Sequence, residues 1–180
     1  MHFDFETSRL SLRPYGSEDW PHAHRILSDP RIIWWRKNNP MSEAETHSFI
    51  DKYAGAEGTE ATGFGWWLVF DKLNGETPQG LAGHVALNPL PERPELMEIG
   101  WHFLVEGRGK GYATEAARRL LRHGFETMGL AEIVAVIVPA NTTSSKVAER
   151  LRMTKIDQLM KAGLLHHLFR IGCEEWSTLE

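Results

Sequence analysis

Apolar and polar residues alternate through Arg9–Pro14, as in a strand with one buried face. Ser17, followed by Glu18 and Asp19, marks a helix start, and Asp29-Pro30 marks its stop. Ser42 and Glu45 have capping-box spacing, so a second helix is expected over Glu43–Ala54. The small, polar stretch Gly55–Gly63 is expected as a loop. Phe64–Asp71 and Gly80–Asn88 are strand-length apolar runs flanking a cluster that contains the turn signal Asn74-Gly75. Pro89–Glu95 is expected as another loop, and Leu96–Val105 is the longest strand candidate. Ala113, Ala117, Leu120, Leu121, Gly124, Phe125 and Met128 then recur at helical spacing. Strand, helix, strand and strand follow at Glu132–Val138, Asn141–Arg152, Met153–Leu159 and Leu164–Gly172. The order βααβββαβαββ predicts one α/β (α+β) domain over residues 1–180. An antiparallel meander comes first and a β-α-β unit second.

Composition narrows the class without naming it. The 180 residues carry a net charge of -4, so no basic field draws the chain to nucleic acid, and direct nucleic-acid binding is not expected. A single cysteine, Cys173, cannot form an internal disulfide. No apolar run approaches the roughly 20 residues of a membrane span. A cytoplasmic protein without membrane contact is therefore expected. Nine histidines form no HExxH pattern and the lone cysteine no CxxC, so no metal site is expected.

The candidate chemistry starts at Val105–Ala116, VEGRGKGYATEA, where three alternate glycines lead from a strand into a helix. Glycines let backbone N–H groups approach an anion, and a helix N-terminus favours one. Lys110 precedes Gly111 and Tyr112, so the Walker A spacing fails. The dinucleotide fingerprint fails too, because its last glycine is misplaced.

Glu106-Gly107-Arg108-Gly109-Lys110-Gly111 does resemble the acyl-CoA pyrophosphate loop of the GNAT N-acetyltransferases, [Q/R]-x-x-G-x-[G/A]. GKGYATEA is similar to the RimJ/RimL branch of that family. Thr7–Trp20, Glu98–Leu104, Val138–Met153 and Glu174–Trp176 resemble that branch's first strand and helix, central strand, second motif and ending. Glu106 and Arg152 depart from the pattern, at positions where Gln or Arg, and Gly, are usual. The resemblance implies acetyl-CoA as cofactor and transfer of its acetyl group to a primary amine, either a protein or ribosomal-protein N-terminus or a small amine such as a polyamine, amino acid or antibiotic. A catalytically silent acyl-CoA-binding module is a third reading.

The same resemblance implies where the parts lie. The loop residues Arg108, Gly109, Lys110, Gly111, Tyr112, Ala113 and Thr114 are expected around the pyrophosphate. Backbone amides of Phe103, Leu104 and Val105 are expected along the pantetheine arm. Asn141 suits an N-cap by residue type, and the resemblance adds a contact with that arm. Ser144 is expected to support the leaving thiolate. Glu98, a carboxylate in an apolar strand, is the candidate general base, with His102 on the same face as a second candidate. Trp34 and Trp35 are expected to wall the amine acceptor's site, and such paired tryptophans can equally serve a homodimer interface.

Overall fold

The computed structural model describes residues 3–32, 40–54, 58–75, 77 and 79–178. Its strands are β1 (Phe5–Glu6), β2 (Leu10–Pro14), β3 (Gly65–Asp71), β4 (Leu81–Leu90), β5 (Arg93–Phe103), β6 (Glu132–Ile137), β7 (Thr154–Lys161) and β8 (Leu164–Gly172). They form one eight-stranded sheet in the order β1-β2-β3-β4-β5-β6-β8-β7. Only the β5–β6 pair is parallel. The helices are α1 (Trp20–Leu27), α2 (Glu43–Ala54), α3 (Thr59–Thr62), α4 (Tyr112–Arg122), α5 (Thr142–Arg150) and α6 (Cys173–Ser177). The meander and the β-α-β unit stand as the hydrophobic pattern predicts.

Strand alternation sorts the sheet into two faces. Trp67, Val69, Val85, Leu87 and Ile99 pack with Ala116, Ala117, Leu120 and Val147 of α4 and α5. Leu68 and Phe70 turn the other way, against Ala23 and Ile26 of α1 and Ile50 of α2. The predicted capping box on α2 forms in both directions, since Ser42 N–H donates to Glu45 Oε2 (2.7 Å) and Glu45 N–H to Ser42 Oγ (3.3 Å).

Several boundaries differ from the sequence reading. Pro89–Glu95 is mostly strand: β4 runs to Leu90 and β5 begins at Arg93, leaving Pro91 and Glu92 as the turn. Pro89 is accommodated because the register shifts between it and Leu90. β5 stops at Phe103, and Val105–Gly107 forms a 3-10 turn, so Val105 is not in the strand. The expected loop at 55–63 contains α3, and α4 continues as a π turn over His123–Thr127 that keeps Phe125 on the core.

One irregularity positions the site. β4 and β5 pair from Gly83–Phe103 to Asn88–Glu98 and beyond, whereas β5 and β6 share a single register partner, Glu98–Val134. Past Glu98 the two parallel strands diverge.

Candidate active site

The divergence opens a cleft of about 1320 Å³, lined from both faces of the sheet. On the α4/α5 side stands the glycine loop. Gly109 (φ 77°) and Gly111 (φ 81°) are both left-handed, and Gly111 is the N-cap of α4. This is a conformation that glycine adopts without a Cβ penalty. The first-turn amides of α4, Tyr112 to Thr114, have no carbonyl of their own helix to pair with. Together with the loop they line the cleft.

The loop is braced from the connection between β1 and β2. Arg9 donates through Nη1 to Lys110 O (2.8 Å) and through Nε to Glu115 Oε2 (2.7 Å). Thr7 Oγ1 donates to Glu115 Oε1 (2.5 Å). Burial pushes the Glu115 carboxyl up, but these hydrogen bonds outweigh it and hold its pKa below the ordinary range. Tyr112 sends its hydroxyl to Asp71 Oδ2 (2.6 Å), so its side chain anchors the loop.

Two of the expected cofactor contacts lie elsewhere. Leu104 and Val105 are absent from the cleft lining. Leu104 N–H donates to Ala82 O (2.9 Å), and Val105 O accepts from Arg108 N–H (3.1 Å). Because peptide groups alternate along a strand, Leu104's pairing with β4 turns those of Trp101 and Phe103 toward the gap. Phe103, Arg108, Gly109, Lys110, Gly111, Tyr112, Ala113 and Thr114 do line the cleft, as do Asn141, Ser144 and Glu98. Arg108's guanidinium donates to Arg31 O (2.8 Å), tying the loop to the segment after α1. Glu106 is outside the cleft lining. Trp34 and Trp35 lie outside the described residues.

Sequence reasoning missed a row of cations. Arg118 and Arg122 on α4, and Lys146 and Arg150 on α5, all line the cleft. Each pair has i,i+4 spacing, which puts both members on one helix face. That spacing on the two helices flanking an anion loop was the available signal. At the start of α5, Asn141 Oδ1 accepts from Ser144 N–H (3.1 Å), so the predicted cap forms. The Ser144 hydroxyl makes no hydrogen bond among the described residues.

On the α1/α2 side the register lays side chains out in three rows. Trp66, Ala86 and Gly100 pair across β3, β4 and β5. Leu68, His84 and His102 form the next row on one side, and Asn88 and Glu98 the row on the other. Ala86 and Gly100 thus floor a recess between His102 and Glu98, with Trp66 as a wall. Glu98 and His102 are four residues apart, roughly 13 Å along the strand. Lys161, the last residue of β7, places Nζ 2.5 Å from Glu98 Oε2. Strands β6 and β8 separate β7 from β5, a span of roughly 14 Å in a flat sheet. The β7–β8 hairpin tip therefore leans over the recess. Burial raises the Glu98 pKa, and Lys161 opposes that rise through its charge and hydrogen bond without cancelling it.

A family model described as an acetyltransferase (GNAT) domain matches residues 9–154. The chain belongs to the GNAT acetyltransferases. YkkB of Bacillus subtilis (strain 168) is 37% identical over 149 residues, covering 82% of this chain and 83% of its own. The FsC-acetyl coenzyme A-N(2)-transacetylase of Aspergillus fumigatus is 29% identical over 162 residues; they cover 84% of this chain and 65% of that protein's length. A GNAT-family acetyltransferase structure from Bacillus anthracis superposes with a TM-score of 0.75 at 27% identity, covering 96% of this chain and 100% of the other.

The GNAT donor is acetyl-CoA, an elongated polyanion ending in a thioester. The cleft fits it on three counts visible here: left-handed glycines at a helix N-terminus, facing cation pairs on α4 and α5, and a strand edge exposed where β5 leaves β6. The chain is an acetyl-CoA-dependent acyltransferase that acts on an amine.

Proposed function

We propose that this GNAT enzyme acetylates a small-molecule primary amine. The observation that carries the reading is the hairpin tip: Lys161 reaches Glu98 from β7 and places the tip at the acceptor end of the cleft. The Aspergillus relative's name, an FsC-acetyl coenzyme A-N(2)-transacetylase, supports a nitrogen acceptor. A protein N-terminus is the second reading, carried by the RimJ/RimL-like motifs.

In this reading the α4 amides and the α4/α5 cations hold the phosphates, where the helix end adds about 0.3–1 kcal/mol per favourable anion. The Trp101–Phe103 edge pairs with the pantetheine arm in the manner of an added strand. Acetyl-CoA supplies the acetyl group as a thioester. Glu98 takes a proton from the ammonium, which must be lost before the nitrogen can attack. Burial raises its pKa and so makes it the stronger base, while Lys161 opposes that rise. Ser144 donates to the departing sulfur. Thiol release from acetyl-CoA, with products identified by mass spectrometry, tests the reading against a panel of amines and peptides. Small amines should be acetylated with the higher kcat/KM; preferential turnover of peptide N-termini would overturn it.

A further inference from the structure

Behind the recess runs a buried chain of hydrogen bonds that the chemistry above does not use. Tyr15 Oη lies 2.8 Å from His84 Nδ1, and His84 Nε2 lies 2.9 Å from His102 Nδ1. His84 is completely buried and Tyr15 is 2% exposed, while His102 lines the cleft. Trp66 lies parallel to the His102 ring, with 11° between planes and 6.0 Å between centroids.

Proton positions follow from counting donors and acceptors. Burial pushes the Tyr15 phenol well up, so it keeps its proton. His84 Nδ1 is the acceptor within its reach among the described residues, and a buried hydroxyl without an acceptor is costly. Tyr15 therefore donates to Nδ1. Burial pushes His84 well down, with the neighbouring His102 adding to the effect, so His84 is neutral and carries its one proton on Nε2. It donates to His102 Nδ1, which must accept. Neutral His102 then holds its proton on Nε2 and can act there only as a donor. This argues against the base role the sequence suggested for it and leaves that role to Glu98.

We propose that His102, fixed as a donor by Tyr15 and His84, recognises an oxygen on the acceptor, so that the enzyme selects amines that also carry a carboxylate or carbonyl. Glu98 sits at one end of the Gly100–Ala86 floor to take the ammonium, and His102 sits at the other to take the oxygen. Amino acids and their esters or amides have that pairing of groups; polyamines do not. The inference rests on the small-amine reading.

Two measurements test it. In the first, ¹⁵N-detected imidazole spectra of the whole protein report the tautomers. Both His84 and His102 should be protonated on Nε2, and protonation of His102 on Nδ1 would overturn the proposal. In the second, kcat/KM is compared for phenylalanine, phenylalaninamide and phenethylamine, and for amino acids with longer separations between nitrogen and oxygen. Compounds with the oxygen should lead the matched amine by tenfold or more, mainly through KM. The carboxylate and amide arms show which oxygen is preferred. His102→Phe should collapse that ratio, and His102→Gln, which keeps a donor, should restore part of it. Tyr15→Phe, a milder change, should lower the ratio without touching the cleft. Small amines turned over with no preference for oxygen sink this inference and leave the small-amine reading standing; turnover of peptides alone sinks both.

Discussion

The two arms of the cleft are built by opposite strategies. The donor arm comes from one continuous stretch, β5 through α5, and its chemistry is backbone amides plus facing cations. The acceptor arm gathers Trp66, Ala86, Glu98, His102 and Lys161 from four strands, and its chemistry is paired or chained side chains. A donor common to a whole family can be held by a local motif. An acceptor particular to one enzyme needs side chains whose neighbours are set by register and by the lean of a hairpin. Substitutions in the two arms should therefore separate into effects on acetyl-CoA and effects on the amine.

The largest effect is expected at the joint between the arms. Glu98→Gln removes the proton acceptor and should lower kcat/KM for the amine by about 10²–10⁴-fold. Acetyl-CoA affinity, measured by calorimetry, should move little. In the native enzyme kcat/KM should fall as pH drops through the raised pKa of Glu98, because only its ionised form is a base. Lys161→Met removes the opposing cation while burial remains, so that limb should shift to higher pH. A limb that stays in place would show that Lys161 does not tune Glu98.

This contrast explains what the sequence disclosed. The glycine spacing, the Asn141 cap and the strand holding Glu98 were legible because each is a local pattern with a physical requirement. Lys161 was not, because its meeting with Glu98 depends on the tilt of a hairpin 63 residues away. Nor was the His84–His102 bond, since one residue of slip between β4 and β5 would turn His84 to the opposite face. The resemblance places the Leu104 amide on the cofactor, whereas its pairing with Ala82 follows from register, which hydrophobic pattern alone leaves open.

A tenfold to hundredfold effect is expected at Ser144. Its hydroxyl would donate to a developing thiolate, and a hydrogen bond to a charged group is worth about 1.5–3 kcal/mol. Ser144→Ala should lower kcat by roughly that factor with acetyl-CoA affinity nearly unchanged; equal turnover would remove it from the chemistry. Gly111→Ala is a test confined to the donor arm. The added Cβ meets only Arg9 Nη2 at 3.5 Å, so its cost is the left-handed backbone, about 1–2 kcal/mol. Affinity for acetyl-CoA should fall about tenfold, and the preference among amines should stay as it was.

The smallest effects are expected at two residues that carry strain in matching places. Arg152 (φ 62°) closes α5 in the donor arm, and Ala162 (φ 50°) turns the hairpin tip beside Lys161 in the acceptor arm. Arg152 N–H donates to Glu149 O and Met153 N–H to Ala148 O, both at 3.0 Å, which is the Schellman arrangement that favours glycine at this position. Arg152→Gly should stabilise the fold by about 1 kcal/mol, raising Tm by roughly 2–4 °C. Arg152→Ala keeps the strain and loses a cation from a helix C-terminus, so it should give no gain. Ala162→Asn creates the Asn-Gly pair preferred in a two-residue hairpin turn and should stabilise the fold by a similar or smaller amount. Only this last change lies next to Lys161. If the leaning tip sets the acceptor recess, Ala162→Asn should sharpen discrimination between amines while Arg152→Gly leaves it alone; equal kinetic effects from both would show that the two arms are not separable.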